Sequence, residues 1–179
     1  MRDTTRRAWW CIPLALVAWA AVGCTSPSDH DEAPMAQTVT VAEQWASSAD
    51  MGMAAVFGTF TNTGHHDARI VGGSSPAAGR VEVHEVTADG TGAKTMRPKA
   101  GGVPIPAGGT HDLVPGGDHL MLMDLVAPLA PGADVTVTVE FEDGSTLPVT
   151  AQVRDFAGAN EQYHPTADAD DAPTGHDHG

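Results

Sequence analysis

The chain has 179 residues, which is enough for one ordinary domain with a hydrophobic core once its ends are set aside. It carries 23 acidic and 9 basic residues, for a formal net charge of −14 at pH 7, which argues against nucleic acid as a partner. Its 2 cysteines both lie within the N-terminal segment, so the remainder of the chain offers no thiol for a thiol enzyme or for a copper–thiolate electron-transfer site.

Residues 1–23 are predicted to be an export signal. Three arginines precede an uncharged apolar stretch, residues 8–22, which is too short and too close to the N-terminus for a convincing membrane span. Arg6 and Arg7 favour twin-arginine export about as much as general secretion. Small residues directly before Cys24 resemble a bacterial lipobox, so Cys24 is the predicted lipidation site. We therefore expect an exported protein of the cell envelope, in the periplasm or lipid-anchored to the outer face of the cytoplasmic membrane.

The rest of the chain divides into three parts. Residues 24–36 are polar and acidic and predict a flexible tether, whereas residues 156–179 are acidic and poor in apolar side chains and predict a disordered tail. Between them, residues 37–155 show short apolar runs separated by turn residues, which predicts an all-β domain built as an antiparallel β-sandwich. The predicted strands are residues 38–46, 54–62, 68–75, 80–86, 94–98, 109–114, 119–125, 134–141 and 146–153.

The predicted strand at 119–125 has an unusual second face. Leu120 and Leu122 form one face, which we expect to point into the core, whereas the other face consists of an imidazole and two thioethers. Those three residues are His119, Met121 and Met123. Either the strand is covered on both sides and methionine fills space there, or this face binds a ligand.

Two residues of the same chemistry lie on neighbouring predicted strands. His84 shares a strand with Val81 and Val83 but alternates with them, so we expect it on the solvent side, where a histidine is usually incidental. Met96 follows a Gly-rich turn and is predicted to lie on the strand that pairs back onto that of His84. Two imidazoles and two thioethers form a soft donor set that suits Cu(I) and is poor for Zn(II), Mg(II) or Ca(II).

The pattern His, Met and then His-x-Met resembles the motif of the bacterial PCuAC copper chaperones. Matching stretches are residues 74–85, 96–98, 101–125 and 128–144, and the resemblance covers roughly residues 37–155. It implies a Greek-key, cupredoxin-like β-sandwich that binds Cu(I). The ligands implied are His84, Met96, His119 and Met121. Eleven residues separate His84 from Met96, and twenty-two residues separate Met96 from His119. Each interval is one residue longer than in the motif.

Other soft or nitrogen donors have weaker support. Met123 shares the face of the His-x-Met pair and is a candidate alternate thioether. Met51 and Met53 either provide a transfer route for copper or are ordinary core and loop residues. In the tail, His176 and His178 with their acidic neighbours are candidates for weak Cu(II) binding.

The function that this resemblance implies is an extracytoplasmic Cu(I) metallochaperone. Its acceptor would be the Cu(A) site of cytochrome c oxidase subunit II or a Sco-type protein, and its membrane contact would be the N-terminal lipid. Two alternatives remain open from the residues: a copper buffer or scavenger for envelope copper tolerance, and a metal-free surface lipoprotein that binds another protein. The sequence has no Ser-His-Asp, phosphate-loop or paired-carboxylate signature, so we predict that the protein is not an enzyme.

Overall fold

The computed structural model describes residues 33–88, 90, 92–156 and 162–163, the last two as backbone only. The predicted signal, the lipidation site Cys24 and the tail residues His176 and His178 lie outside the described residues. Within the described ranges, no helix is long and apolar enough to cross a bilayer.

The described residues form one short helix, α1 (Met35–Thr38), and eleven strands. The strands are β1 (Val39–Ser47), β2 (Met53–Asn62), β3 (Ala68–Ser74), β4 (Ala78–Ala88), β5 (Lys94–Pro98), β6 (Val103–Ile105), β7 (Thr110–Leu113), β8 (His119–Leu125), β9 (Asp134–Phe141), β10 (Thr146–Arg154) and β11 (Gln162–Tyr163). All nine predicted strands are present within a few residues, which confirms the all-β class. The sequence did not predict α1, β6 or β11, which are too short for a recognisable periodicity.

The strands form one continuous sheet that closes on itself. Seven strands follow one another around the ring in the order β4, β8, β2, β1, β10, β9 and β3, and Gly73 of β3 pairs with Val81 of β4 to complete it. The β1–β10 and β5–β11 pairs are parallel, so the expectation of a purely antiparallel sheet was wrong there. Because β1 and β10 are far apart in sequence, no hairpin dictates their relative direction. The division into two Greek-key sheets stays a prediction.

The main core fills the interior of this ring. Strand β9 shows the expected alternation, with Val135, Val137, Val139 and Phe141 all buried. Strand β8 departs from it, because residues 119–123 are all buried. One face of β8 packs in the main core and the other packs in a second, smaller apolar cluster. The strand is therefore covered on both sides.

A β-bulge in β1 adds an aromatic side chain beside this second cluster. The pairing register between β1 and β2 shifts between Ala42 and Trp45, and Glu43 adopts a left-handed φ of 55°. As a result Trp45 pairs with Phe57, and their ring centroids lie 4.6 Å apart.

The main core predicts how substitutions on β8 affect stability. Leu122 is fully buried in that core, so Leu122→Ala should lower the free energy of unfolding by about 2–5 kcal/mol through lost burial and a residual cavity. Leu125→Ala, on the same strand but only partly buried, should cost clearly less. Urea unfolding of both variants checks this, and equal losses would contradict the described packing of β8.

Candidate metal centre

The second apolar cluster lies outside the ring, on β2, β5 and β8. Its buried members are Ala55, Phe57, Met96, Met121 and Met123. Trp45 and Val86 pack against them. Three of the five buried side chains are thioethers, which gives this cluster soft donor atoms that the main core lacks.

Two histidines lie at the edge of this cluster and directly opposite each other. His84 of β4 and His119 of β8 are partners in the antiparallel register, so their side chains share one face of the sheet. Their ring centroids are 5.8 Å apart at an interplanar angle of 62°. The expectation that His84 faces solvent was wrong, since it is 0% exposed and His119 only 2%. His84 faces the ring of His119 at the edge of the second cluster rather than solvent.

Both predicted methionine ligands share this face. Met96 pairs with Val86, two residues along β4 from His84, which confirms that its strand pairs back onto that of His84. Met121 lies two residues beyond His119 on β8. Met96, Met121 and His119 line an open cavity of about 130 Å³. The four predicted residues thus lie on the adjacent strands β4, β5 and β8, but His84 is not among the residues that line the cavity, and their role as ligands stays a prediction.

His119 is held in a defined tautomer. Its Nδ1–H donates to the carbonyl oxygen of Gly117 at 3.0 Å, so Nε2 carries the lone pair of the neutral ring. Among the described residues Nε2 is buried and has no hydrogen-bond partner. Burial lowers the pKa of His119, which favours the neutral ring near pH 7. Metal-binding histidines typically donate their second ring nitrogen to such a carbonyl.

His84 is oriented by a carboxylate that the sequence reasoning missed. Its Nε2 lies 2.8 Å from Oε2 of Glu82. The other carboxylate oxygen of Glu82, Oε1, accepts a hydrogen bond from Arg80 at 2.7 Å. Burial raises the pKa of Glu82, but the hydrogen bonds from His84 and Arg80 together lower it by more, so the carboxylate stays ionised. In the neutral ring with Nε2–H as donor, Nδ1 carries the lone pair. The sequence signal for this contact is that Glu82 and His84 are two positions apart, which places both side chains on the same face of the strand.

A charge network secures the turn that precedes His119. Lys99 donates to Glu85 at 3.1 Å and to Asp118 at 2.9 Å, and His111 lies 3.0 Å from the same Asp118. These bonds tie the residue before His119 to β4 and β7. His111, which had no predicted role, therefore helps to hold the backbone whose carbonyl orients the His119 ring.

Aromatic rings and further methionines surround the cavity. Phe57 lies 6.0 Å from the ring of His119, and Phe156 packs against Trp45 and lines the cavity. Met53 also lines the cavity and is 38% exposed, whereas Met51 is 79% exposed and does not line it. The sequence did not predict these aromatic neighbours, because they come from β2, from the bulge in β1 and from the segment after β10.

The donor set of the described residues is selective in its chemistry. In the described part of the chain, no three His, Cys, Asp or Glu side chains come together as they would around a hard or borderline cation. The cavity offers instead neutral imidazole and thioether donors, of the kind that bind soft, low-charge ions.

The lowered pKa of His119 predicts a pH-dependent stability of the metal-free protein. The unfolded chain takes up a proton near the ordinary histidine value of 6.5, while the buried ring resists protonation. The unfolded state therefore binds more protons below that pH, and the free energy of unfolding should fall as the pH drops. Urea unfolding at about pH 7.5 and about pH 5.5 measures this loss. His119→Gln should reduce it, whereas a matched change at the exposed His65 should not.

Comparisons with known proteins agree with this fold. The family model described as "Putative lipoprotein LpqE-like" matches residues 39–153. A protein of Leifsonia xyli subsp. xyli, named "Putative lipoprotein Lxx21020", is 42% identical over 162 residues, covering 89% of this chain and 97% of that protein.

Solved PCuAC domains share the architecture. A copper-bound PCuAC domain from PmoF2 superposes with a TM-score of 0.55 at 18% identity, covering 66% of this chain and 94% of that one. An apo PCuAC domain from PmoF1 superposes with a TM-score of 0.54 at 21% identity, covering 66% of this chain and 95% of that one. The predicted resemblance is confirmed at the level of the fold. The chain belongs to the LpqE-like lipoprotein family, and its globular part has the fold of PCuAC domains.

Proposed function

We propose that this protein is an exported, lipid-anchored chaperone that binds Cu(I) and passes it to an acceptor. The observation that carries the proposal is the buried Nε2 of His119. Its lone pair has no hydrogen-bond partner among the described residues, and His119 lines a cavity together with Met96 and Met121. A buried polar atom without a partner is costly unless something binds it.

The donor atoms favour Cu(I) over other biological cations. The proposed ligands are His84 Nδ1, His119 Nε2 and the thioether sulfurs of Met96 and Met121. Each of the four groups donates to a metal ion in its neutral form, so the set suits a monovalent soft ion and leaves a divalent hard ion uncompensated. The surrounding apolar cluster also limits the access of water, which favours the lower oxidation state.

A chaperone must release its cargo, and the cavity offers a way out. Its lining includes Met53 and Phe156, which are partly exposed, so an acceptor can approach the bound ion from their side. The acceptor that we propose, from the family resemblance, is the Cu(A) site of cytochrome c oxidase subunit II or a Sco-type protein. The copper-bound PCuAC neighbour supports copper as the cargo. No enzymatic activity is proposed.

The proposed location rests on the N-terminus and on the family. Cys24 follows small residues as in a lipobox, and both the family and the Leifsonia relative are described as lipoproteins. A lipid on Cys24 would tether the folded domain to a membrane through the residues before α1.

Removing one nitrogen and one sulfur donor tests the site. The double variant His119→Gln with Met121→Leu should lose Cu(I) affinity by more than about 100-fold, beyond the roughly 10–100-fold range typical for residues that only orient ligands. Competition against a Cu(I) chelator measures the affinity, and X-ray absorption of the loaded protein reports oxidation state and sulfur and nitrogen ligation.

A matched control uses the same chemical changes outside the cavity. His65→Gln with Met51→Leu alters one exposed histidine and one exposed methionine and should leave the affinity unchanged. Circular dichroism verifies that both variants are folded. Retained affinity in the cavity variant would refute the ligand assignment, and failure of the wild type to bind Cu(I) would favour the metal-free alternative.

Loss of the lipidation site tests the anchor. In a bacterial host that processes lipoproteins, the wild type should sediment with membranes, whereas Cys24→Ala should appear in the soluble or secreted fraction because its anchor is lost. Membrane fractionation measures the attachment, and mass spectrometry of the N-terminal peptide measures the modification of Cys24. An unmodified Cys24 in the wild type would contradict the prediction.

A further inference from the structure

We propose that Met53 is a transient, solvent-side copper ligand through which Cu(I) enters and leaves the buried site. This inference rests on the proposed function and extends it, because it names the residue that mediates transfer. Met53 lies outside the His, Met and His-x-Met pattern that suggested the site.

The burial of the four proposed ligands creates the need for such a residue. His84 is 0%, His119 2%, Met121 4% and Met96 5% exposed, so none presents its donor atom to a partner protein. Copper that moves by ligand exchange needs a donor that can hold it while the ligands of the acceptor begin to bind. Among the cavity-lining methionines of the described part of the chain, only Met53 is substantially exposed.

The sheet register places Met53 within reach of the site. Met53 opens β2 and pairs directly with Met123 of β8, and Ala55 pairs with Met121. Met53 is thus one cross-strand diagonal from Met121, a spacing of roughly 7–8 Å between backbones that long side chains span. The methyl group of Ala55 leaves space beside Met121 that a bulkier residue would fill. The long, unbranched Met53 side chain can reach into this space.

The proposed transfer step is a ligand exchange at constant oxidation state. A bond from Met53 Sδ to Cu(I) forms as the bond from Met121 Sδ breaks, so the number of bonds to the ion is conserved. No electron moves, and no proton is released because a thioether carries none. The acceptor then replaces the remaining ligands in the same way. Buried Met123, directly opposite Met53, keeps the surroundings of the ion apolar during the exchange.

The alternative is that Met53 is an ordinary apolar residue at a strand end. Met53→Leu separates the two, because leucine keeps the volume and apolar character but removes the sulfur. Met51→Leu is the matched control, since Met51 is two residues away and more exposed but does not line the cavity. If exposure alone mattered, Met51 would be the better transfer residue.

The test measures affinity and exchange rate separately on the full chain loaded with one equivalent of Cu(I). Equilibrium competition against bicinchoninate gives the affinity, and stopped-flow transfer to the same chelator gives the rate. For Met53→Leu we expect an affinity within about threefold of the wild type and transfer slowed by about tenfold, which corresponds to about 1.4 kcal/mol in the barrier. Met51→Leu should match the wild type in both.

The possible outcomes distinguish the role of Met53 from the proposed function. An unchanged transfer rate in Met53→Leu, with a wild type that binds and exchanges Cu(I), would overturn the role of Met53 and leave the proposed function intact. A large loss of affinity would also overturn it, because Met53 would then be a resident ligand. A wild type that binds no Cu(I) would overturn both proposals.

Discussion

The alignment of β4 with β8 is the constraint on which the candidate site depends. Their antiparallel register puts His84 opposite His119 and leaves Leu120 and Leu122 facing the main core. Because side chains alternate along a strand, a slip of one residue would send both leucines outward and the histidine and methionines inward. The burial of the leucines therefore stabilises the register that assembles the donors. The two faces of one strand thus carry the core packing and the candidate donor set.

The second apolar cluster lies on the other face of β8, where His119, Met121 and Met123 are buried rather than exposed. Its methionines are buried, and its Phe57 lies beside the ring of His119, whose burial lowers its pKa and keeps its lone pair available near neutral pH. The carbonyl of Gly117 and the carboxylate of Glu82 then select the tautomer of each ring. The two imidazoles, each oriented by a hydrogen bond, and the thioethers of the apolar cluster are donors of the kind that suit a monovalent soft ion. Met53, which lines the cavity and is 38% exposed, gives this region a thioether that solvent reaches.

The quality of the sequence predictions follows from the range of the interactions involved. All nine strands were predicted because alternation and turn residues are local signals, and the pairing of β5 with β4 followed from the short turn between them. The burial of His84 was missed, because it depends on contacts with other strands, such as the ring of His119 on β8, that no pattern within β4 indicates. The same holds for the parallel β1–β10 pair and for Phe57 and Phe156 beside the cavity, which no local pattern indicates.

By itself, the sequence determined the all-β class, the positions of the strands and the set of soft donors with its His-x-Met pair. These depend on residue type and on spacing within single strands. Only the tertiary structure decided that His84 and His119 are cross-strand partners, that Glu82 and Gly117 orient them, and that the face is buried. Those properties depend on which strands pair and in what register. Pairing between strands far apart in the chain is settled by the burial of the whole core, which no short stretch of sequence encodes.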